Sequence, residues 1–392
     1  MTRRAFNLLA VEPYFGGSHR WFLESVRERS RHRWHLIAGP GRHWKWRMRV
    51  SPLALAKEVE QFVNSSEVTI DFVWVSDMLD LPQWRGFLAT SSDQRVRNLA
   101  TCPTVLYFHE NQWTYPVATR ARVDHHYGYT NLLSALAADA VWFNSAYHRD
   151  VFIRASETFL RRMPDSRLAH DIDGMRAKSN VVPPGFQPME SGGGRSRSTK
   201  TLRLGWVSRW EEDKRPDRFY EILRELDRQA VPFELVLLGG RSRRPHPALD
   251  QIRDAFSRRI RVDGWLPREA EASHRSRETN AEGVHSYEEA LQQMDVVIST
   301  AEHEFFGVGV CEAIWAGAVG LLPHDLSYPE LVSSHFLYRS RDEAVQRIRS
   351  WVDNADWTEL AEKSRSRLGH LTVERAVDRV DQHLDLLGRV AS

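Results

Sequence analysis

Strand-like and helix-like segments alternate along nearly the whole of this 392-residue chain. Apolar runs predict strands near residues 6–11, 34–38, 70–75, 104–109 and 140–144, then 202–207, 233–238, 260–262, 296–299 and 319–322. Helices are predicted after Ser18, after Ser51, at 128–138, after Ser145, from Pro216, at 341–354 and at 373–387. This alternation is typical of parallel sheets joined by crossover helices. Because the chain exceeds one typical core, it predicts an α/β fold of two doubly wound, Rossmann-like domains facing each other across a cleft.

A low-complexity stretch separates the two halves. Residues 191–200 start with Ser-Gly-Gly-Gly and continue with alternating Arg and Ser, a composition typical of flexible linkers. We therefore expect one domain over 1–190, a linker at 191–200 and a second domain over 201–365. Residues 366–392 should form a C-terminal helix that packs back on the first domain. Doubly wound sheets bind ligands at the carboxyl ends of their strands, so the expected site is the cleft.

Composition excludes several classes of protein. The net charge of +2 excludes a highly basic nucleic-acid binder but leaves room for a local basic patch. The only two cysteines, Cys102 and Cys311, lack metal-ligand spacing, which favours a cytoplasmic, reducing location and argues against a zinc site. No apolar run reaches the roughly 18–20 residues that a membrane span needs. These features are typical of a soluble globular enzyme without a stable membrane anchor.

The segment from His303 to Glu312 follows a predicted strand and leads into a predicted helix beginning at Cys311. Such a glycine-containing turn presents free backbone N–H groups and the positive end of a helix dipole, which favour a phosphate. Glu304 is expected in the loop, within reach of a ligand. Glu312 is expected about one turn into the helix, where it could accept hydrogen bonds from the paired hydroxyls of a ribose. The alternative is a surface glutamate and a second that only favours the helix dipole.

A second polar loop follows the first strand of the second half. Arg209 and Lys214 could converge there on a diphosphate, the arginine as a two-pronged donor and the lysine as a point charge. An ordinary solvated charge run is the alternative. The predicted position, at a strand end facing the same cleft as Glu304, favours the binding site.

Two loops of the first half also follow predicted strands. The paired Gly16 and Gly17 would allow a ligand to approach the backbone closely, and Ser18 could cap the next helix, although most such turns serve chain geometry only. His109 could bind a sugar hydroxyl or move a proton. A lone histidine is more often structural, but polar neighbours favour a site here: Glu110, Asn111 and Gln112.

Aromatic residues and cations alternate between Arg42 and Arg49. This mixture can grip phosphates and stack on an unpaired base. One alternative is a structural loop whose two tryptophans are buried while its cations stay in solvent. Another is contact with a membrane surface. Composition alone leaves both partners open, and five residues carry the pattern: Trp44, Lys45, Trp46, Arg47 and Arg49.

The motifs of the second half resemble those of a known enzyme family. Arg209 and Lys214, followed by Glu304 and Glu312, resemble the basic pair and the E-x7-E motif of glycosyltransferase family 4. Members of that family are retaining, metal-independent enzymes with the two-domain GT-B fold. Further motifs, over nearly the whole chain, resemble those of the tRNA-queuosine mannosyltransferases: Gly16–His19, Trp44–Arg47, Tyr107–Gln112, Tyr127–Tyr129 and His303–Gly307.

The resemblance implies a role for each group of residues. Arg209 and Lys214 would hold the donor diphosphate, and Glu312 the donor ribose. The transferred sugar would be held by Glu304 and by the backbone of Phe305, Phe306 and Gly307. His109 would line the sugar pocket, and Gly16 and Gly17 would let the first, tRNA-binding domain approach the reaction centre. The acceptor would be contacted by Ser18, His19, Trp44, Lys45, Trp46, Arg47, Arg49, Glu110, Asn111 and Gln112.

The implied reaction moves mannose from GDP-mannose to the cyclopentenediol of queuosine in a tRNA anticodon, of the tRNA-Asp type. Retention without an obvious nucleophile implies front-face attack, in which the leaving diphosphate takes the acceptor proton. Arg209, Lys214 and the helix dipole at Gly307 would stabilise the leaving charge, with no cofactor or metal implied beyond the nucleotide sugar. Domain closure would exclude water. Three alternatives remain: Glu304 could be a nucleophile, the acceptor could be a lipid or a glycan, or the protein could bind a nucleotide sugar without catalysis.

Overall fold

The computed structural model describes residues 4–116, 124–165, 168–189, 201–240, 246–268, 284–354 and 356–391. The chain forms two compact units. The first comprises Met1–Gly185 with Val373–Ser392, and the second comprises Phe186–Thr372. The predicted linker at 191–200 and residues 269–283 of the polar segment lie outside the described residues. Within the described part, no helix is both long and apolar enough to cross a membrane.

The first unit is built on one parallel sheet. Its elements in chain order are β1 (Asn7–Phe15), α1 (Gly17–Arg29), β2 (Arg33–Pro40), α2 (Trp44–Asn64), β3 (Phe72–Ser76), α3 (Leu81–Ala89), α4 (Gln94–Leu99), β4 (Thr104–Phe108), α5 (His125–Ala137), β5 (Ala140–Phe143), α6 (Ala146–Leu160), α7 (Ala169–Ala177) and β6 (Ser179–Val181). The described strands are ordered β2-β1-β3-β4-β5-β6. The order reverses direction at β1, so the loops after β1 and β3 lie at the switch point, where such sheets bind ligands.

The second unit repeats this plan. Its elements are β7 (Leu202–Val207), α8 (Pro216–Arg228), β8 (Phe233–Leu238), α9 (Pro247–Phe256), β9 (Ile260–Gly264), α10 (Tyr287–Gln292), β10 (Val296–Ile298), α11 (Val308–Trp315), β11 (Val319–Pro323), α12 (Tyr328–Leu331), β12 (Leu337–Tyr338), α13 (Arg341–Asn354) and α14 (Trp357–Arg365). The described strands are ordered β12-β11-β10-β7-β8-β9, all parallel. The switch point falls between β7 and β10, and the loops after these two strands therefore lie side by side.

The first sheet is buried on both faces. Leu9 and Val11 of β1 belong to one hydrophobic cluster, while Leu8 and Ala10 belong to the cluster on the opposite face. Successive side chains of a strand point to opposite faces, so a sheet covered on both sides needs apolar residues at every position. This explains why β1 reads as a continuous apolar run rather than as an alternating pattern.

The last helix, α15 (Val373–Ala391), belongs to the first unit. Its apolar face joins the cluster of Leu8 and Phe22 through Val373, Val377, Val380 and Leu384. Its polar edge is fixed as well, because the Ser30 hydroxyl donates a hydrogen bond of 2.6 Å to Asp381. The amphipathic sequence of α15 is thus accounted for by burial against the first sheet.

The prediction for helix α2 was wrong. We expected a helix only after Ser51, with the basic and aromatic residues before it in a loop. Proline is favoured in the first helical turn, so Pro52 resembles a helix start. The structure instead starts α2 at Trp44, behind the left-handed His43 (φ 57°), and keeps Pro52 inside the helix. Buried Met48 and Ser51 continue the apolar face upstream of the proline. Tertiary packing therefore outweighs the local proline signal.

Gly239 offers a test of how tightly the ends of β7 and β8 pack. A Cβ on Gly239 would lie 1.9 Å from the backbone oxygen of Ser208, whereas a Cβ on Gly240 would meet nothing within 4 Å. Because a backbone carbonyl cannot yield easily, Gly239→Ala should destabilise the protein by about 1–3 kcal/mol. Gly240→Ala is the matched control and should stay within about 0.5 kcal/mol of the wild type. Equal denaturation midpoints for the two variants would contradict this packing.

Candidate functional site

The loops after β7 and β10 are joined by hydrogen bonds at the switch point of the second sheet. The backbone N–H of Glu302 donates to the carbonyl of Asp213 at 2.8 Å. The Thr300 hydroxyl donates to the carbonyl of Lys214 at 2.9 Å and accepts from the indole of Trp206 at 3.3 Å. These bonds hold the Lys214 loop against the Glu304 loop, so the two predicted motifs form one site.

Lys214 lies at the centre of this site. Its side chain is almost fully buried, and its Nζ donates to the carbonyl of His303 at 2.7 Å and to Glu304 Oε2 at 3.1 Å. Asp213 Oδ2 lies 3.2 Å from the same Nζ. Burial alone would lower the pKa of Lys214, but the charges of Glu304 and Asp213 raise it. Lys214 therefore remains a cation at neutral pH.

The groups around Lys214 keep definite charge states. Burial alone would raise the pKa of Glu304, but the ammonium of Lys214 holds it below its usual value. Burial, and to a smaller extent the charge of Lys214, lower the pKa of His303 to about 4. The site thus pairs an ionised Glu304 with a charged Lys214 beside a neutral imidazole.

Arg209 adds a second cation on the same loop. Its side chain is 59% exposed, and it forms an ion pair of 3.4 Å with Glu211. It is close enough to lower the pKa of Lys214 by charge repulsion. One buried and one exposed cation therefore share this edge of the sheet, an arrangement suited to a polyanionic group.

Helix α11 begins directly beside Glu304. Gly307 precedes its first residue with φ of +88°, a left-handed conformation that side chains with a Cβ rarely adopt. Phe305 and Phe306 are each 5% exposed, so their side chains pack inside the unit while their backbone forms the turn. The helix starts at Val308, three residues before the predicted start at Cys311. Its N-terminal dipole points to the turn that holds Glu304.

Glu312 is completely buried and already has partners. Arg268 Nη2 donates to Oε1 at 2.8 Å and to Oε2 at 3.0 Å, and the Tyr287 hydroxyl donates to Oε2 at 2.9 Å. The Arg268 guanidinium also lies over the Tyr287 ring, at 4.9 Å from its centroid. The carboxylate predicted to bind a ribose is thus already hydrogen-bonded to Arg268 and Tyr287. The sequence does not predict the contact of Glu312 with Arg268 or with Tyr287. Arg268 begins a polar segment that has no recognisable pattern.

The glycine pair of the first unit has two separate structural causes. Gly16 packs against Gly41, whose added Cβ would lie 2.7 Å from the Gly16 Cα. Gly17 has φ of +54° and open space around it. The prediction that Ser18 caps the following helix was wrong. Helix α1 already begins at Gly17, so Ser18 lies exposed in its first turn.

A buried polar network lies at the switch point of the first sheet. Glu12, in the middle of β1, is 1% exposed. Its Oε1 accepts from the Tyr14 backbone N–H at 2.8 Å and from the Ser76 hydroxyl at 2.9 Å. Its Oε2 lies 3.2 Å from His19 Nδ1. The His19 ring stacks on His109 with a centroid distance of 3.9 Å and an interplanar angle of 28°.

The two stacked imidazoles carry different charges. Burial alone would lower the pKa of His19, but Glu12, with Asp77 and Glu110, raises it to about 9. Burial, together with the charge of His19, lowers the pKa of His109 well below its usual value. Burial raises the pKa of Asp77 to about 8. At neutral pH His19 is therefore an imidazolium, and His109 is a neutral imidazole.

The same residues could be considered as a metal site. Glu12, His19 and His109 each bring one ligand atom within 4.8 Å of the other two. However, metal ligands direct their lone pairs at one point about 2.1 Å away, whereas these two rings lie nearly parallel. Both oxygens of Glu12 already take part in hydrogen bonds. We therefore interpret the group as a hydrogen-bonded network.

The polar residues after His109 divide into inner and outer positions. Asn111 is fully buried, and its side-chain oxygen accepts from the backbone N–H groups of Trp113 and Thr114, each at 3.1 Å. Gln112 is 8% exposed and donates to Glu110 at 3.0 Å. Asn111 therefore builds the turn, and Glu110 is the most accessible of the three predicted acceptor residues.

The basic and aromatic residues form the first turns of α2. Trp44 packs edge-on against Tyr127 with a centroid distance of 5.3 Å, and the Arg49 guanidinium lies 4.6 Å from the same ring. Lys45 is exposed, Arg47 is half-buried and Trp46 is 58% exposed. The alternative in which both tryptophans are buried is wrong for Trp46. We call Trp44–Arg49 together with Tyr127 the basic-aromatic patch.

Comparisons with known proteins agree with this architecture. Residues 7–186 match the family described as tRNA-queuosine alpha-mannosyltransferase N-terminal. A tRNA-queuosine alpha-mannosyltransferase of Drosophila melanogaster is 28% identical over 352 residues, covering 87% of this chain and 86% of that protein. Sucrose-phosphate synthase from Thermosynechococcus elongatus has a TM-score of 0.65 at 14% identity, covering 98% of this chain and 100% of that chain. A glycosyltransferase from Rickettsia africae has a TM-score of 0.60 at 12% identity, covering 99% and 100%.

At such low sequence identity, the similarity to the solved structures shows the fold alone. They confirm the predicted pair of doubly wound sheets as the GT-B fold. The family match and the fly relative confirm the resemblance to tRNA-queuosine mannosyltransferases. The chain is therefore a glycosyltransferase of the GT-B fold, and residues 7–186 of its first unit are similar to the N-terminal domain of the tRNA-queuosine alpha-mannosyltransferases.

Proposed function

We propose that this glycosyltransferase moves mannose from GDP-mannose to a hydroxyl of the queuosine cyclopentenediol in a tRNA anticodon, with retention of configuration. The observation that carries the proposal is the Lys214–Glu304 pair at the switch point of the second sheet, in a chain whose first unit matches the queuosine family. The fly relative supports the acceptor and the sugar through its name. A tRNA acceptor would place the reaction in the cytoplasm, where the two buried free cysteines would stay reduced.

The donor diphosphate would be held by Lys214 and Arg209. Lys214 supplies a fixed charge, because its ammonium is anchored to Glu304 and to the His303 carbonyl. Arg209 is exposed and supplies an adaptable fork. The turn at Gly307 adds the N-terminal dipole of α11. These groups would neutralise the diphosphate without a divalent metal ion, and no other cofactor is required.

The hydrogen bonding of Glu304 supports front-face attack as part of this proposal. A carboxylate whose Oε2 already accepts from Lys214 at 3.1 Å is less available as a nucleophile. We therefore assign Glu304 to holding the hydroxyls of the transferred sugar, together with the Phe305–Gly307 backbone. The bond from the sugar to the diphosphate breaks, the acceptor oxygen forms the new bond on the same face, and its proton passes to the leaving phosphate oxygen. Lys214 and Arg209 stabilise the charge on that leaving group.

The sugar pocket and the acceptor involve the first unit. His109, neutral and half-buried, can exchange a hydrogen bond with a sugar hydroxyl without adding charge. Gly16 packs against Gly41, whereas Gly17 leaves open space in which the backbone could approach the ligand. The basic-aromatic patch would bind the anticodon, with Trp46 as an exposed stacking surface and Lys45 and Arg49 on phosphates.

Removing the exposed cations of the patch should weaken tRNA binding in a salt-dependent way. The double variant Lys45→Ala with Arg49→Ala removes two phosphate contacts. The slope of log K against log salt should therefore fall by about 1.4–1.8 in magnitude. GDP affinity should not change. Lys57→Ala, an exposed lysine on the same helix, is the control and should leave the slope as it is. An unaltered slope in the double variant would place the RNA surface elsewhere.

The same patch would also fit a membrane surface, so a lipid acceptor is the second candidate. The test supplies GDP-mannose with a labelled sugar to two parallel reactions, one with queuosine-containing tRNA and one with a total lipid extract. We expect label in the tRNA. Label in the lipid fraction alone would favour the second candidate, and label released only as free mannose would argue against both acceptors.

A further inference from the structure

Glu12 is a buried charge for which neither the donor site nor the tRNA surface gives a reason. It occupies a central position of β1, between apolar neighbours, and is 1% exposed. Taking a carboxylate out of water is costly, and an apolar residue of similar size would serve packing alone at least as well. Its presence therefore indicates an electrostatic role at the switch point of the first sheet.

The contacts of Glu12 fix its position and direct its charge at one group. The Tyr14 backbone and the Ser76 hydroxyl bind Oε1 at 2.8 and 2.9 Å. This leaves Oε2 facing His19 Nδ1 at 3.2 Å. The two partners of Oε1 are neutral, so the negative charge is balanced by His19. A glutamate held at both oxygens also fixes the plane of that imidazolium ring.

His19 transmits this arrangement to His109. The two rings stack at 3.9 Å, and His109 also packs edge-on against Phe22 at 5.6 Å and Tyr107 at 4.7 Å. The His109 backbone N–H is held by Asp77 at 2.8 Å. The orientation of His109 thus depends on a stacking partner that Glu12 anchors.

We propose that Glu12 is a positioning residue for the transfer reaction, which holds His19 as a cation against His109 and so keeps the His109 ring oriented toward the sugar. The inference rests on the proposed function, because His109 serves there as the sugar-binding imidazole. Two adjacent buried imidazoles cannot both be charged, since each cation raises the free energy of the other. The charge that Glu12 keeps on His19 therefore adds to the burial that already makes His109 neutral.

The charge states depend on every ionisable group that faces the pair. These groups are Glu12, Asp77 and Glu110, which raise the pKa of His19, and His148, which lowers that of His109. Glu12 makes the largest favourable contribution to the His19 cation, and burial opposes it. Without the Glu12 charge, burial should prevail and the His19 proton should be lost as the pH rises through a lower pKa.

The test is a titration of the histidine ring signals of protein labelled with ¹⁵N-histidine, in which His19→Gln assigns the His19 signal. In the wild type, His19 should titrate near pH 9. Glu12→Gln keeps the shape and an oxygen for Tyr14 and Ser76 but removes the charge, so the midpoint should fall by on the order of two pH units. Glu24→Gln, an exposed glutamate of α1 paired with Arg20, should leave the midpoint unchanged. A midpoint that stays near 9 in Glu12→Gln would overturn the inference.

Kinetics then separate positioning from mere structure. With Glu12→Gln, kcat at pH 8 should fall about 10–100-fold. It should recover as the pH is lowered through the new His19 midpoint, because the cation forms again. A pH-independent loss would overturn the positioning role. Glu12→Asp keeps the charge at a greater distance and should give a smaller shift, which preserves the test if Glu12→Gln does not fold. A wild type without transferase activity would refute the proposed function, whereas the titration would still decide the Glu12–His19 contact.

Discussion

Replacement of Lys214 by methionine is expected to weaken GDP binding by about 100-fold or more and to abolish transfer. The ammonium is buried between Glu304, Asp213 and the His303 carbonyl. Its loss removes the fixed charge on the donor diphosphate and leaves two carboxylates without their cation. Removing one partner of a buried charge pair costs about 2–5 kcal/mol, and about 1.4 kcal/mol corresponds to tenfold in affinity. Isothermal titration with GDP measures the effect directly.

The control for this variant is Lys363→Met. Lys363 is exposed on α14 and forms only a surface pair with Glu359, so its loss should not change GDP affinity. Thermal unfolding of both variants shows whether Lys214→Met remains folded. The affinity of Lys214→Met for pyrophosphate should fall in parallel with its affinity for GDP. Unchanged GDP affinity in folded Lys214→Met would show that the diphosphate binds elsewhere.

Replacement of Glu304 by glutamine is expected to lower kcat by about 100–1000-fold while GDP affinity changes by less than about threefold. Loss of one preorganised polar contact at the reacting group typically has an effect of that size. GDP alone carries no sugar for Glu304 to hold. The affinity for GDP should therefore not depend on the role assigned to Glu304. Glu302→Gln, in the same loop but 56% exposed, is the matched control and should remain active.

The same position distinguishes the two mechanisms considered from the sequence. If Glu304 were a nucleophile, Glu304→Ala would be rescued by azide, which would enter the vacated space and yield a glycosyl azide. Front-face attack predicts no such product, because Glu304 forms no bond to the sugar that azide could replace. Detection of mannosyl azide by mass spectrometry would contradict the positioning role assigned to Glu304.

Long apolar runs explain why much of the fold could be predicted. The bounds of β7 and β8 agree with the prediction, and α8 starts at the predicted Pro216. Buried parallel strands need consecutive apolar residues, which gives them a strong local pattern. By contrast, the N-terminal turns of α2 were missed, because Pro52 imitates a helix start and only tertiary packing shows otherwise. The short helices α3, α4 and α10 were not predicted either, because six to nine residues show little helical periodicity of apolar residues.

The candidate site was predictable where its residues lie at strand ends. Lys214 and Glu304 each follow a strand of the second sheet, and their neighbouring strands bring them together. Glu12 was missed because a single acidic residue inside an apolar run has no local signal. Arg268 was missed because its contact with Glu312 joins positions 44 residues apart. Such contacts follow from the packing of the chain and not from the spacing of its residues.

The most direct test of the account is the mass of the nucleosides recovered from tRNA after reaction with GDP-mannose. Two tRNA preparations are compared, identical except that one contains queuosine at the anticodon and the other retains guanosine there. We predict that queuosine gains the mass of one hexose, that the guanosine-containing tRNA gains nothing, and that Lys214→Met forms no product. A queuosine nucleoside of unchanged mass, from folded protein that binds GDP, would contradict the central claim.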